Sequence, residues 1–271
     1  MKKPKPLNFL IVAPLFVGLL YWYTSQIQSR TDNNPDRSIV KKTLTFDKIS
    51  RDIFISTSAN RLTNKKVPLI IFLHGMDGAW PSRRFTKPQY DFINKMAWKY
   101  NFIAAFPKGS NESCSDPKKD PKREFLFYNC WSTSDEKDLS FIKKLRQALV
   151  NQYGIDANNC YLIGFSNGGY FVSDYMIKKQ SNDFAGFGIH AGGGEINKDD
   201  TINKNVGKFL ISLNVGKKDE FQFNDMRDLK KELLNIGWQE NKNLKYQEYE
   251  ARHEMSKTAF ENEIKFFLKK D

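Results

Sequence analysis

Along this chain, short continuous apolar runs alternate with longer stretches whose apolar side chains recur every three or four positions. The order of the two patterns defines the expected architecture. The segment "TLTFDKISRDIFIST" alternates apolar and polar positions around a polar break, which predicts an antiparallel hairpin near the edge of a sheet. "VPLIIFLHG" is an unbroken apolar run ending at His74-Gly75, the pattern of a strand buried on both faces. "KPQYDFINKMAWKYN" reads as a helix and "FIAAFP" as the next buried strand. "KGSNESCSDPKKDPKREFLFYNCWST" has the turn and charge composition of a long surface loop. In "SDEKDLSFIKKLRQALVNQYG", Leu139, Ile142, Leu145, Leu149 and Val150 fall at helical spacing behind a Ser-Asp-rich start. Strand "NCYLIGFS" follows and passes at once into helical "NGGYFVSDYMIKKQ". "FAGFGIHAG" and "KFLISLNVG" are two more buried strands, the second leading to helix "NDMRDLKKELLNIG". "LKYQEYEA" is a last strand and "MSKTAFENEIKFFLKK" a final amphipathic helix. Strands alternating with helices predict an α/β fold, a mostly parallel central sheet with helices on both faces.

The N-terminus changes the picture of where this domain works. In "MKKPKPLNFLIVAPLFVGLLYWYTSQIQSR", Lys2, Lys3 and Lys5 precede a stretch from Pro6 to Ser29 without charge. Its apolar centre, Phe9 to Tyr23, is short for a spanning helix, which wants about 20 residues, and long for the core of a signal peptide. Two readings stay open, an uncleaved signal anchor and a cleaved signal peptide. The aromatic cluster Tyr21, Trp22 and Tyr23 and the lack of a small-x-small site favour the anchor. Either way the chain is expected to be exported, periplasmic or extracellular, with residues 6–29 the membrane tether if they are retained. The expected organisation is a signal segment over 1–29, a polar tether over 30–40 and one catalytic domain over 41–271.

An exported domain can keep disulfides. Of the three cysteines, Cys114 and Cys130 sit in irregular polar sequence and are the expected pair, the alternative being three free thiols. Cys160 begins an apolar strand and reads as a small buried hydrophobe. No Cys/His spacing fits a metal site, so neither metal nor cofactor is expected. The chain has 271 residues and a formal charge of +12, spread over single and paired Lys and Arg with acidic residues among them. That is a solvated basic surface and not a nucleic-acid groove. Oligomeric state is silent in the sequence.

Candidate chemistry gathers where parallel strands end. Gly164-Phe165-Ser166-Asn167-Gly168 is G-x-S-x-G between a strand and a helix, the context this motif requires. It predicts Ser166 as a nucleophile on a sharp turn, at a helix N-terminus whose dipole favours an oxyanion. The backbone N–H groups of Met76, after His74-Gly75, and of Asn167 are the candidate oxyanion donors. His74 is expected to brace its loop. Asp219 in "LNVGKKDEF" is placed to orient an imidazole, with Glu220 as its rival, and His253 in "YEARHEMS" follows the last strand, where a base belongs. His190, in apolar "FGIHAGGG", reads as a core or wall residue. The order Ser166, Asp219, His253 is that of the α/β-hydrolase fold. Trp80, Trp131, Phe165, Tyr170 and Phe171 fall near the site loops and would suit an apolar or aromatic acyl group.

The run "LIIFLHGMDG", "FIAAFPKG", "NCWSTSDEKDLSFIKKL" and "YGIDANNCYLIGFSNGGYF" resembles the polyhydroxybutyrate depolymerase and feruloyl esterase group of secreted α/β-hydrolases. "GFSNGG" and the "CW" pair are the markers, and the likeness runs from Val67 to Phe171, then more weakly through "NVGKKDEF" and "ARHEM". The resemblance implies a serine esterase with Ser166 as nucleophile, Asp219 as acid and His253 as base, acting on a small-molecule or oligomeric ester. It implies His74, Gly75, Trp131 and Phe165 around the substrate, Cys130 in a disulfide beside the site, and a structural Asp138. Lys217 and Lys218 before the acid, and the lack of a glycine-rich lead before His253, depart from the group's pattern. Lipase, lysophospholipase or peptidase activity on the same triad, or a non-catalytic binding protein on the same fold, are the alternatives.

Overall fold

The computed structural model describes residues 39–56, 65–76, 87–110, 129–132, 136–179 and 183–269. Eight strands form one sheet: β1 (Ile39–Phe46), β2 (Ile49–Ser56), β3 (Val67–Leu73), β4 (Ile103–Pro107), β5 (Ile155–Phe165), β6 (Gly186–His190), β7 (Leu210–Gly216) and β8 (Leu244–Tyr249). Their spatial order is β1-β2-β4-β3-β5-β6-β7-β8. The β1–β2 and β2–β4 pairings are antiparallel, and every other neighbouring pair is parallel. This is the mostly parallel sheet expected of an α/β-hydrolase.

The opening hairpin turns on Asp47 and Lys48, both with positive φ (51° and 67°), which matches the right-handed twist of its strands. β1 begins at Ile39, inside the span read as tether. β5 begins at Ile155, earlier than its apolar run, because Ile155 pairs with Val67 across a register shift at Pro68, which has no N–H for the ladder.

Helices cover both faces. α1 (Lys87–Tyr100) and α5 (Lys257–Leu268) lie on one, where Ile93, Met96, Phe260, Ile264 and Phe267 pack against Ile70, Phe72 and Ile163 of the sheet. α2 (Glu136–Gln152), α3 (Asn167–Asp174) and α4 (Phe223–Asn235) supply Leu145, Phe171 and Leu229 to the opposite core. Each such buried side chain contributes ~1.5–3 kcal/mol. α3 passes into a π turn over Tyr175–Lys179, so the segment expected to be one helix changes its hydrogen-bond spacing midway.

The N-terminal segment 1–29, Trp80 and Cys114 lie outside the described residues. Among the described residues no helix is long and apolar enough to cross a membrane.

Candidate active site

The turn from β5 into α3 is tight enough to exclude side chains at its flanks. A Cβ on Gly164 would lie 2.1 Å from the Gly168 carbonyl oxygen, and one on Gly168 only 2.4 Å from that of Leu73. Only glycine permits this crossing of β3, β5 and α3. Ser166 sits at the apex with φ 53° and ψ −117°, a conformation unusual for a non-glycine residue. As N-cap of α3 its hydroxyl would ordinarily turn back on the helix, but it makes no cap hydrogen bond. The hydroxyl instead meets His253, with Oγ 2.8 Å from Nε2.

Asp219 completes the line, its Oδ2 2.8 Å from His253 Nδ1. Its other oxygen accepts from the backbone N–H groups of Phe221 and Gln222, each at 3.1 Å. The carboxylate is 1% exposed and all its contacts fix its direction. Glu220 is exposed and takes no part in this line. Lys217 and Lys218, just before it, reach the surface carboxylate of Glu250, Lys217 at 2.8 Å and Lys218 at 3.8 Å.

Gly75 passes directly beside the serine: a Cβ there would stand 3.1 Å from Ser166 Cβ. His74 is nearly buried, its Nε2 accepting from Gly109 N–H at 2.9 Å and its Nδ1 lying 2.6 Å from Gly75 O. Since Nε2 accepts, the ring proton is on Nδ1, and both nitrogens are spent on bracing the loop. Met76, two residues on, is exposed. Asn167 does more than the sequence disclosed. Its Oδ1 accepts from Trp131 N–H at 2.8 Å and its Nδ2 donates to Trp131 O at 3.2 Å. That clamp holds the Asn167 side chain on Trp131 and away from its own backbone N–H.

Trp131 is 3% exposed, packed against His74 and Phe171, with the Arg51 guanidinium 5.5 Å from its ring. Arg51 pairs with buried Asp138, whose other oxygen accepts from Ser132 N–H at 2.8 Å. Asp138 therefore anchors the strand of chain carrying Trp131, as expected of a structural residue. Phe165 tilts against His253 at 5.2 Å between ring centroids, and Phe221 meets the same ring edge-on at 6.2 Å. Phe221 is 75% exposed. No periodic signal in the sequence marks it.

Beyond Tyr170, whose hydroxyl accepts from Gln222 Nε2, a cleft of about 1030 Å³ opens between α3 and α4, with Trp131, Asp174, Gly194, Asp228 and Glu232 among its walls. His190 is wholly buried against Glu263, as a core histidine. Cys130 is buried, and Cys160 is a free, buried thiol pushed up to about 11 by desolvation. Among the described residues no group of His, Cys, Asp and Glu side chains could hold a metal ion.

A serine on a glycine-flanked elbow, hydrogen-bonded to an imidazole that is hydrogen-bonded to a buried carboxylate, is a constellation able to transfer acyl groups. Residues 52–202, more than half of the chain, match the family model described as "Esterase PHB depolymerase". The chain belongs to this PHB depolymerase esterase family. The chain is also similar to a bifunctional acetylxylan esterase/xylanase of Neocallimastix patriciarum, at 26% identity over 141 residues, 51% of this chain and 17% of that protein. The crystal structure of a thermostable esterase is 22% identical, with a TM-score of 0.59 over 79% of this chain and 55% of that one. A ferulic acid esterase (14% identical, TM-score 0.60) is similar over 83% of this chain and 94% of its own. An S-formylglutathione hydrolase of Staphylococcus aureus (14%, TM-score 0.58) covers 85% and 94%. At such identities the structural likenesses establish the fold.

Proposed function

We propose that this PHB depolymerase family member is a serine carboxylesterase working through an acyl-enzyme on Ser166. One observation carries the reading, the unbroken line from Ser166 Oγ through His253 to Asp219 with both hydrogen bonds at 2.8 Å. His253 Nε2 takes the hydroxyl proton as Ser166 Oγ attacks the ester carbonyl carbon, and the C=O electron pair moves onto oxygen. The backbone N–H groups of Met76 and Asn167 stabilise that oxyanion. His253 then returns the proton to the departing alcohol, and Asp219 steadies the imidazolium. Water repeats the sequence on the acyl-enzyme and releases the acid. Loss of hydrolysis of p-nitrophenyl esters and of fluorophosphonate labelling in Ser166→Ala is the expected result. Equal turnover by wild type and Ser166→Ala would refute it.

A second reading, esters with a long apolar acyl group, is favoured by what surrounds the serine. Of the five exposed large hydrophobic residues among the described residues, Met76, Tyr170 and Phe221 are on segments flanking Ser166. Tyr170 N–H donates to Ser166 O at 2.8 Å, which fixes its place beside the elbow. A water-facing apolar rim of this kind suits an apolar substrate. Hydrolysis rates across acyl chains of rising length separate this from a preference for short acyl groups.

Export is part of the same proposal, with residues 1–29 as signal or anchor and Cys114 paired to Cys130. Fractionation of cells producing the full chain should place the domain outside the cytoplasm.

A further inference from the structure

On the face of the sheet covered by α5, beneath the catalytic line, lies a row of buried and half-buried polar side chains that the proposed reaction leaves unused. Glu263 is fully buried on the helix face that otherwise presents Phe260, Ile264 and Phe267. Its Oε2 is 2.8 Å from His190 Nε2, and its Oε1 accepts from Asn214 Nδ2 at 3.1 Å. Asn214 Oδ1 accepts from Gln247 Nε2 at 2.6 Å. Gln247 in turn donates to Ala259 O at 3.1 Å and accepts from Asn262 Nδ2 at 3.0 Å, both on α5. His190 Nδ1 is buried and has no partner among the described residues, so the ring proton is placed on Nε2 and donated to Glu263. Room for the carboxylate comes from Gly188, where a Cβ would stand 2.3 Å from Glu263 Oε1.

The row has a definite relation to the line above it. Phe165, His190, Asn214 and Gln247 are successive register partners across β5, β6, β7 and β8. Phe165 immediately precedes Ser166, Asn214 leads through the end of β7 to Asp219, and Gln247 leads through the end of β8 to His253. His190 O accepts from Ser166 N–H at 2.8 Å, and Asn214 O accepts from Ala191 N–H at 2.9 Å. α5, which bears Glu263, starts directly after the His253 segment and is capped by Ser256, whose hydroxyl accepts from Ala259 N–H at 3.2 Å. The elements that present all three members of the line therefore converge on one buried carboxylate.

We propose that Glu263, with His190 and Asn214, is a positioning network that sets the mutual register of Ser166, Asp219 and His253 without touching substrate. The inference rests on the reading of those three residues as the catalytic line. A buried carboxylate is tolerated only while its hydrogen bonds are kept, so a small slide of α5 or β7 is opposed far more steeply than apolar packing would oppose it. Acyl transfer needs that steepness, because a misplacement of ~1 Å in a catalytic group costs about 10²-fold in rate.

The experiment compares the full chain as wild type, Glu263→Gln, His190→Gln and His190→Leu. In Glu263→Gln the new amide turns a donor toward His190 Nε2 or Asn214 Nδ2. We expect kcat for p-nitrophenyl butyrate to fall ~10-fold or more, with KM within about twofold, in protein that is folded at the assay temperature. The low-field proton resonance of the His253–Asp219 hydrogen bond should shift or broaden. His190→Gln, which can still donate to Glu263, should keep kcat within about threefold of wild type, whereas His190→Leu should lose ~10-fold. The two His190 variants carry the comparison if Glu263→Gln does not fold. Variants that lose thermal stability while retaining wild-type kcat and the wild-type low-field resonance would overturn the proposal. A wild type as inert as Ser166→Ala would defeat the catalytic reading instead, and the resonance would still test the network.

Discussion

Ser166 combines a positive φ with a hydroxyl withheld from its own helix, and the neighbours that allow this are glycines with no space for a methyl group. Gly168→Ala would push a Cβ to within 2.4 Å of Leu73 O, so we expect a loss of about 2–3 kcal/mol in urea unfolding together with loss of esterase activity. Burial favours Asp219 over Glu220 as the proposed acid, with Asp219 held by three donors and Glu220 in water. Asp219→Asn should lower kcat by ~10³–10⁴ through the wrong imidazole tautomer, while Glu220→Gln stays within about twofold. Cys160 gives a pH dependence. Desolvation raises its thiol from 9.0 to about 11, so the folded state keeps the neutral form after the unfolded chain has ionised. Its contribution to stability is whole below pH 9 and is lost as pH climbs from 9 to 11. Tyr161, raised from 10.0 to about 12 by the same burial, acts in the same direction at higher pH. Urea midpoints measured from pH 8 upward should fall through this window, with a shallower fall in Cys160→Ala.

At the scale of elements, the strands were legible because parallel strands buried on both faces read as unbroken apolar runs. The "VPLIIFL" run is β3 with six of its seven residues buried in the core. The catalytic candidates were legible for a related reason, since the ends of those runs limit where polar residues can meet. What stayed hidden was pairing between distant segments. Nothing in "GFSNGG" says that Asn167 clamps Trp131, and nothing near Arg51 points to Asp138. One hidden feature did leave a trace: Glu263 falls on the apolar stripe with Phe260, Ile264 and Phe267, where a carboxylate needs a buried partner. The exposed rim left none, because a single Phe in a loop has no period. Phe221→Ala should raise KM for an octanoyl ester about 10-fold and leave an acetyl ester nearly unchanged, in line with ~1.5–3 kcal/mol for burying that ring against a substrate.

At the scale of the molecule, an α/β sheet of eight strands carries the site at the carboxyl ends of its parallel strands, and the expected export supplies an oxidising environment. With Cys160 free and the Cys114–Cys130 pair proposed, thiol titration of the unreduced chain should find one thiol after denaturation, and reduction should raise the count to the three in the sequence. Ser110 and Cys130 exchange two backbone hydrogen bonds of 3.0 and 3.1 Å, and Gly109 is pressed so closely on Cys130 that a Cβ would reach its carbonyl oxygen at 2.4 Å. Ser110 and Cys130 are thus held together, and Asn167 fastens the elbow to the neighbouring Trp131. Lengthening a segment closed at its base changes its closure entropy only slowly, by ~0.6 kcal/mol per doubling. With its ends held in this way, the sequence between Ser110 and Cys130 is where added residues are expected to cost least: a laboratory seeking new ester specificities could lengthen it there, leaving Cys114 in place, and keep the geometry around Ser166.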